Sequence, residues 1–387
     1  MFLLVSGFGI HFLRHGMIFP LIPLFAQSLG AAEFLVGIVV ACFHLLAMFL
    51  AIPLGGLIER FGLRCMLLCG AMCNVLYSLL TLVAHSLWFL IFAQVIGGLG
   101  FLLLVVATQT YVGSMQENKA REKGFGLVTL SAAVGQTMGP ALGGVLFAYA
   151  GYESVFAVAL GLSLLGALTA AGSGSRTPPA KNKDMPRGTA RREQIKSLLS
   201  STRLVCTLAF TFSVVVVVSL RGSFLPLLLQ EKGISESHIG ILLSCFALSM
   251  TLVRVVVGRI LGRITRLHLL VFTLVCLITG SGFVPLLGSP ILLGMSLALF
   301  GVGFGFSQPL SMVMISDVSG SGLAMGIRFF STTAANFLSS LTMGWVAEYF
   351  NLSLTFYLGA AFLALMGIWI TWILVIQGND PETHNGR

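Results

Sequence analysis

The stretch PLFAQSLGAAEFLVG at residues 23–37 returns 203 positions later as PLLLQEKGISESHIG at residues 226–240. Pro, Leu, Gln, Gly, Glu and Gly recur in the same register without a gap. The match continues at an offset of 203 and then of 200, in the pairs Gly55 and Gly258, Arg60 and Arg263, Gly144 and Gly344, Tyr149 and Tyr349, and Phe156 and Phe356. A second half that repeats the first predicts two domains of similar structure.

The composition places these two domains in a membrane. Of the 387 residues 57% are hydrophobic and only 9% are charged, whereas a soluble domain carries about 25% charged residues. Apolar runs of about 20 residues are long enough to cross a bilayer as helices. We predict twelve such spans, at 2–24, 34–57, 65–84, 88–113, 124–148, 152–171, 204–229, 237–258, 267–287, 290–315, 325–347 and 353–376.

The predicted fold is therefore an all-α membrane protein of two pseudo-symmetric six-helix bundles, residues 1–172 and 204–387. A basic, Pro- and Ser-rich linker at 173–203 joins them. Two like bundles around a shared central cavity are a transporter architecture. No metal ion or cofactor is expected, and we expect a monomer in a lipid bilayer that binds a small-molecule substrate.

The net charge of +9 reflects membrane topology. Four alternate connections, one of which is the linker, hold 16 of the 22 Lys and Arg residues, whereas the opposite face holds only Lys232. This bias puts both termini and the linker in the cytoplasm, and it argues against nucleic-acid binding. We expect an integral protein of a bacterial inner membrane. The first apolar segment lacks the features of a cleaved secretory signal, and whether the natural chain begins earlier is left open.

Two short strings resemble known signatures. GGLIERFGLR at 55–64 is similar to the loop between spans 2 and 3 of the major facilitator superfamily, and GQTMGPALGG at 135–144 is similar to the antiporter signature of its drug–proton antiporter branch. The resemblance implies the two-bundle fold, alternating access and efflux. It also implies a cytoplasmic gating loop at Gly55, Glu59, Arg60, Gly62 and Arg64, and an antiporter-type motif at Gly135, Gly139, Pro140, Gly143 and Gly144.

One departure from the family pattern concerns proton coupling. The span 4 signature usually carries an Arg a few residues before paired glycines, and here Gln94 precedes Gly97 and Gly98. This puts simple proton antiport in doubt, so protons are only a candidate coupling ion.

Ionisable residues inside spans are the remaining candidates for a substrate site, because charge is costly in lipid. Arginines occur there but no Asp or Glu lies near a span centre, so we predict a cavity that attracts anions. The alternative is that the arginines bind carbonyls freed at helix kinks. The candidate cavity residues are Arg14, His11, His15, Arg221, Arg328, Gln109, Gln308 and Asn336, and we predict a structural pair between Arg254 and Asp317.

The sequence leaves three functions open. The first is proton-coupled efflux of a small organic compound, with an anionic or amphiphilic metabolite or drug preferred, and with His11 or His15 as a candidate proton carrier. The second is uptake or exchange of an organic anion without a proton cycle. The third, from another class, is a non-transporting membrane sensor or scaffold. No motif of a hydrolase or ATPase is present, so we expect no enzyme.

Overall fold

The computed structural model describes residues 2–50, 53, 61–113, 118–172, 196–261, 263–318 and 322–378. Within these ranges the chain is helical apart from short connections, and it contains no strand. The first half consists of α1 (Phe2–Ile18), α2 (Ile22–Ser28), α3 (Glu33–Leu50), α4 (Leu63–Leu82), α5 (Leu87–Gly113) and α6 (Asn118–Gly172). The second half consists of α7 (Thr202–Ser223), α8 (Leu225–Glu231), α9 (Glu236–Leu261), α10 (Arg266–Gly282), α11 (Pro290–Val318), α12 (Gly322–Tyr349) and α13 (Leu352–Gly378).

The helices confirm a polytopic all-α membrane protein. Ten helical segments of the described chain are long and apolar enough to cross a membrane. One of them, Gly126–Gly172, contains a break at Gly151, whose φ of 70° and ψ of −173° are not helical. Helix α12 is not among the ten. The number of twelve spans stays a prediction, as do the domain boundaries, and residues 173–195 of the linker lie outside the described residues.

The repeated stretch forms the same bent and capped helix in both halves. Proline has no N–H to donate and stops a helix from running straight through. After α1 a 3-10 turn at Phe19–Leu21 contains Pro20 and leads into α2. In the second half Pro226 lies in the first turn of α8, directly after α7. The prolines therefore mark the point where the first helix of each half bends.

Two glycines then end these short helices in the same way. Gly30 and Gly233 have φ values of 86° and 76°, which residues with a side chain rarely adopt. Their N–H groups donate to the carbonyl oxygens of Gln27 and Gln230 at 2.9 and 2.8 Å. Such a left-handed cap terminates a helix and reverses the chain direction.

The two halves contact each other at two related helix crossings. Helix α3 packs on α12, and α6 packs on α9. Gly37 lies against Gly344 in the first crossing, and Gly144 lies against Gly240 in the second. A Cβ added to Gly144 would lie only 2.6 Å from the carbonyl oxygen of Glu236. The repeated glycines of the sequence are thus contact points between the halves.

Within each half, the third and fifth helices, α3 with α5 and α9 with α11, also pack alike. Gly98 lies against the backbone of Phe43. Gly301 and Phe246, which lie 203 positions later in the sequence, make the same contact. At a neighbouring contact, the large and the small residue lie on opposite helices in the two halves. In the first half the Tyr77 ring packs on Gly97, whereas the second half has Gly280 and Phe300 at the matching positions, with the bulky residue on the other helix.

Candidate functional site

A central cavity of about 270 Å³ lies between the two halves. Helices α1, α3, α5 and α6 line one side of it, and α7, α9, α11 and α12 line the other. Helices α4, α10 and α13 contribute no lining residue. Its volume is close to the lower end of the range of about 300–1,000 Å³ for small-molecule pockets, so it suits a small organic molecule.

Three basic side chains from different helices line this cavity: His15 on α1, His44 on α3 and Arg221 on α7. Arg221 lies in the last turn of α7, where the negative end of the helix dipole favours a cation. Its Nε atom is buried and has no hydrogen-bond partner. None of the described lining residues is a carboxylate. The cavity therefore carries uncompensated positive charge and free hydrogen-bond donors.

Aromatic rings surround these basic groups. The His15 ring centroid lies 4.8 Å from that of Phe19 and 4.9 Å from that of Phe101. The Arg221 guanidinium lies 4.5 Å above the centre of the Phe246 ring. A wall that combines a guanidinium with aromatic faces can hold both the acidic group and the flat apolar body of a ligand.

Polar side chains of the second half complete the cavity wall. Gln308 and Asn336 both line it, as the sequence predicts. Arg328 is 6% exposed and is not among the lining residues. It donates from Nη2 to the side-chain oxygen of Gln308 and from Nε to Ser311 Oγ at 3.0 Å. Arg328 thus fixes the orientation of Gln308 from behind the cavity wall.

Arg14 and His11 do not lie in the central cavity. They line a smaller cavity inside the first half, and Arg14 donates from Nη2 to Asn74 Oδ1 on α4 at 2.6 Å. The reason is helix geometry. Neighbouring residues of a helix point about 100° apart, so when His15 faces the central cavity Arg14 turns toward α4. The structure therefore brings His15 and Arg221 to one cavity and separates Arg14 from them.

The structure places the other predicted cavity and pairing residues elsewhere. Gln109 is exposed and lines none of the cavities described above. Arg254 on α9 is partly buried, with its guanidinium 6.0 Å from the centre of the Phe304 ring. The side chain of Asp317 lies outside the described part of the chain, so the pair of Arg254 with Asp317 stays a prediction.

The gating loop is described only at its end. Gly55, Glu59 and Arg60 lie outside the described residues. Gly62 precedes α4 with a φ of 81°, a conformation that suits glycine. Arg64 is exposed in the first turn of α4. The latch function implied by the family resemblance stays a prediction.

The GQTMGPALGG string packs α6 against two different helices. A Cβ on Gly139 or Gly143 would lie 2.7 Å from the carbonyl oxygen of Leu13 or Met17 on α1, and Gly135 faces the same helix. Pro140 and Gly144 face Gly240 on α9 instead. The motif therefore lets α6 approach its own bundle on one face and the opposite bundle on the next.

Two features of the site were not anticipated. His44 was not among the predicted cavity residues, although any ionisable residue inside a span is a functional candidate. The polar partners of Arg14, Asn74 and Ser78, were not predicted either, because serine and asparagine are common packing residues of membrane helices. The useful signal was that Asn74 and Ser78 are spaced one turn apart on a single helix.

The fold and cavity define a class: a helical membrane transporter with a substrate cavity between two related bundles. The chain belongs to the Major Facilitator Superfamily, whose sequence model matches residues 4–321 and 219–387. The resemblance seen in the sequence is thus confirmed. Members of this family are transporters, and the chain is a transporter and not an enzyme.

Similar proteins come from both sequence and structure. The chain is 22% identical to "Multidrug resistance protein 2" of Bacillus subtilis (strain 168) over 99% of this chain and 97% of the relative. It is 21% identical to "Multidrug resistance protein 1" of the same organism over 96% and 95%. The fold is similar to that of the nucleoside transporter NupG, with a TM-score of 0.77, 13% identity and coverage of 97% and 99%. It is also similar to the human organic anion transporter MFSD10 (TETRAN), with a TM-score of 0.65, 16% identity and coverage of 95% and 98%.

Proposed function

We propose that this protein exports small organic anions, or amphiphiles with an acidic group, through the central cavity. The observation that carries the proposal is the combination of Arg221, His15 and His44 in one cavity whose described lining has no carboxylate. An anionic group would pair with Arg221, whose free Nε is a ready donor. The flat part of the compound would lie on the aromatic faces of Phe19, Phe101 and Phe246.

Efflux is the direction that the relatives support, since two of them are named multidrug resistance proteins. The proposal includes twelve spans, with both termini in the cytoplasm of a bacterial inner membrane, and a monomer as the working unit. Alternating access would follow from rocking of the halves about the crossings at Gly37 and Gly144.

Proton coupling is proposed to pass through the histidines of the cavity. A histidine changes its charge between about pH 5 and 8, and His15 and His44 lie in the same cavity as Arg221. For inward proton flow to drive export, a histidine would release its proton to the cytoplasm before the anion binds and would take up another after the anion has left on the outside, so transport would depend on the pH on both sides.

Exchange of organic anions without a proton cycle is the second candidate function. It is favoured by the absence of a carboxylate from the described cavity wall and by Gln94 at the position where the family usually has an arginine. Here Gln94 is fully buried, and its amide donates to the Tyr77 hydroxyl at 3.4 Å.

Transport assays in inside-out vesicles separate these proposals. Fluorescein serves as a planar aromatic anion and ethidium as a planar aromatic cation. We expect fluorescein to enter the vesicles faster than ethidium, and to do so faster with an imposed pH gradient. Fluorescein uptake that is the same with and without the pH gradient would favour exchange.

Variants test which cavity is used. Arg221→Gln should reduce fluorescein transport by about tenfold or more, because a hydrogen bond to a charged group contributes roughly 1.5–3 kcal/mol. Arg203→Gln is the matched control, since Arg203 is exposed in the first turn of the same helix. Unchanged transport in Arg221→Gln, or transport of ethidium alone, would contradict the anion proposal.

A further inference from the structure

A buried cation without a counter-ion lies inside the first half. Arg14 is 1% exposed, and no carboxylate of the described chain lies within ion-pair distance of it. Tyr77 contributes only its ring face, whose centre is 5.2 Å from the guanidinium carbon, so it is a weak quadrupole partner. A charge buried in an apolar interior is strongly unfavourable unless an opposite charge or strong hydrogen bonds offset it.

The neutral partners of Arg14 accept only part of its hydrogen-bonding capacity. Asn74 accepts from Nη2 at 2.6 Å, and Ser78 accepts from Nη1 at 3.3 Å. Asn74 in turn donates to the carbonyl oxygen of Gly70, and Ser163, which pairs with Ser78, can donate to the carbonyl oxygen of Ala159. The donors of these neighbours are thus directed to other acceptors, and Arg14 Nε is buried with no partner.

His11 adds a second unpaired group beside Arg14. Its side chain is 4% exposed, and neither of its ring nitrogens has a hydrogen-bond partner. One of the two carries a hydrogen in the neutral ring. His11 and Arg14 line the same cavity, so both unpaired donors belong to one site.

This inner cavity is small and separate from the central one. Its volume is about 30 Å³, and it shares no lining residue with the central cavity. A buried water needs a cavity of at least about 10–15 Å³. The inner cavity can therefore hold about two water-sized particles and no organic substrate. The cavity extends between α1 and α6 to Leu3 and Ala170, which lie near an end of each helix.

The second half shows that the scaffold does not require ionisable or amide side chains here. At an offset of 203 residues, His11, Arg14 and Asn74 correspond to Val214, Val217 and Leu277. These three residues are at most 1% exposed and belong to the apolar core. Packing is therefore satisfied by apolar side chains at these three positions, whereas Ser78 keeps a polar counterpart in Ser281. Packing does not explain why the first half has His11, Arg14 and Asn74.

We propose that this inner cavity binds one small monovalent inorganic anion, such as chloride, as the counter-ion of Arg14. The anion accepts hydrogen bonds from Arg14 Nε and from the ring N–H of His11, and it holds α1 against α4. The site is independent of the transported substrate and of the central cavity.

Thermal unfolding of the purified protein tests the site, with chloride exchanged for gluconate at constant ionic strength. We expect the Tm of the wild type to rise with chloride and to saturate, with bromide acting similarly. Arg14→Gln should weaken the apparent chloride affinity by about tenfold or more. Arg203→Gln should keep the full chloride response, because Arg203 is exposed and lines neither cavity.

A second variant guards against misfolding of Arg14→Gln. The triple change His11→Val, Arg14→Val and Asn74→Leu copies the second half, and we expect it to fold and to show no response to chloride. A wild type without chloride dependence would overturn the proposal, as would a response that survives in the triple variant or disappears in Arg203→Gln. A crystal soaked in bromide should show its anomalous peak beside Arg14 Nε.

Discussion

Substitution of Gly144 by alanine should separate the two halves at one of their crossings. Gly144 lies where α6 crosses α9, and the added Cβ would lie 2.6 Å from the carbonyl oxygen of Glu236 and 3.1 Å from Gly240 Cα. Both neighbours are backbone atoms that cannot rotate away, so the helices themselves must move apart.

The expected magnitude follows from this geometry. Overpacking of a well-packed contact costs about 1–3 kcal/mol, which shifts the balance between the closed and open crossing by a factor of roughly 5–150 at 1.36 kcal/mol per tenfold change. The symmetric variant Gly344→Ala should have a smaller effect, because its Cβ would lie 3.1 Å from Gly37 Cα and 3.2 Å from Glu33 O. The order of the two effects is therefore fixed by the structure.

Hydrogen exchange measured by mass spectrometry reports the opening directly. Amides at 141–150 and 236–240 should exchange faster in Gly144→Ala, and fluorescein transport should change with them. Gly161→Ala is the control, since a Cβ at this position of the same helix meets nothing within 4 Å. Equal exchange in Gly144→Ala and the wild type, or an equal change in Gly161→Ala, would refute the reasoning.

Two further variants probe Glu231, the last residue of α8, and Arg328, which contacts Gln308 at the edge of the site. Partial desolvation and the nearby Glu33 carboxylate raise the pKa of the exposed Glu231 carboxyl above its usual 4.5. The folded state therefore disfavours the charged form, and stability falls slightly as pH rises through the window above 4.5. Glu231→Gln should flatten the curve of Tm against pH there by a small amount, because solvent screens an exposed charge. Arg328→Gln should free Gln308 and raise the KM for fluorescein roughly 2- to 10-fold with little change in kcat, as for loss of an oriented hydrogen bond of about 0.5–1.5 kcal/mol.

Each of these variants has a control on the surface. Glu153→Gln changes an exposed carboxylate and should leave the pH curve as in the wild type. A Glu231→Gln curve that coincides with the wild type across this window would show that the Glu231 carboxyl is not perturbed. Arg203→Gln should leave the KM unchanged, and an equal KM in Arg328→Gln would show that Gln308 does not need its anchor.

The repeat in the sequence predicted two related halves, and it contains the residues that bend and cap the first helix of each half. Pro23 and Pro226 mark the bent first helix of each half, and Gly30 and Gly233 mark its cap. These features are local, because a missing N–H and a positive φ belong to single residues. Such features can be read from one sequence, because they do not depend on which helices pack together.

Contacts between helices were harder to predict. The exchange of Tyr77 and Gly97 for Gly280 and Phe300 preserves the packed volume but hides the repeat at these positions, since each position alone shows a large residue against a small one. Only a structure shows that the partners lie on facing helices.

The sequence predicted a basic cavity, but it did not predict correctly which residues line it. Arg221, Gln308 and Asn336 line the central cavity, and His15 does so as well. Arg14 was assigned to the same place because it is charged and lies at mid-span, but rotation about a helix decides the cavity that a residue faces. Neighbouring residues of a helix point about 100° apart. The short apolar pattern around Arg14 does not determine the direction of its side chain to within that angle.

The most direct test of the central cavity uses a cysteine at position 336. In a background without the native cysteines, Asn336→Cys should be modified by an anionic, membrane-impermeant thiol reagent, and fluorescein transport should then stop. Fluorescein added beforehand should slow the modification, because both occupy the cavity that Asn336 lines. For Thr342→Cys, on an exposed part of α12, the reagent should not stop transport, and fluorescein should not slow any modification. Modification of Asn336→Cys with undiminished transport would contradict passage of the substrate through this cavity.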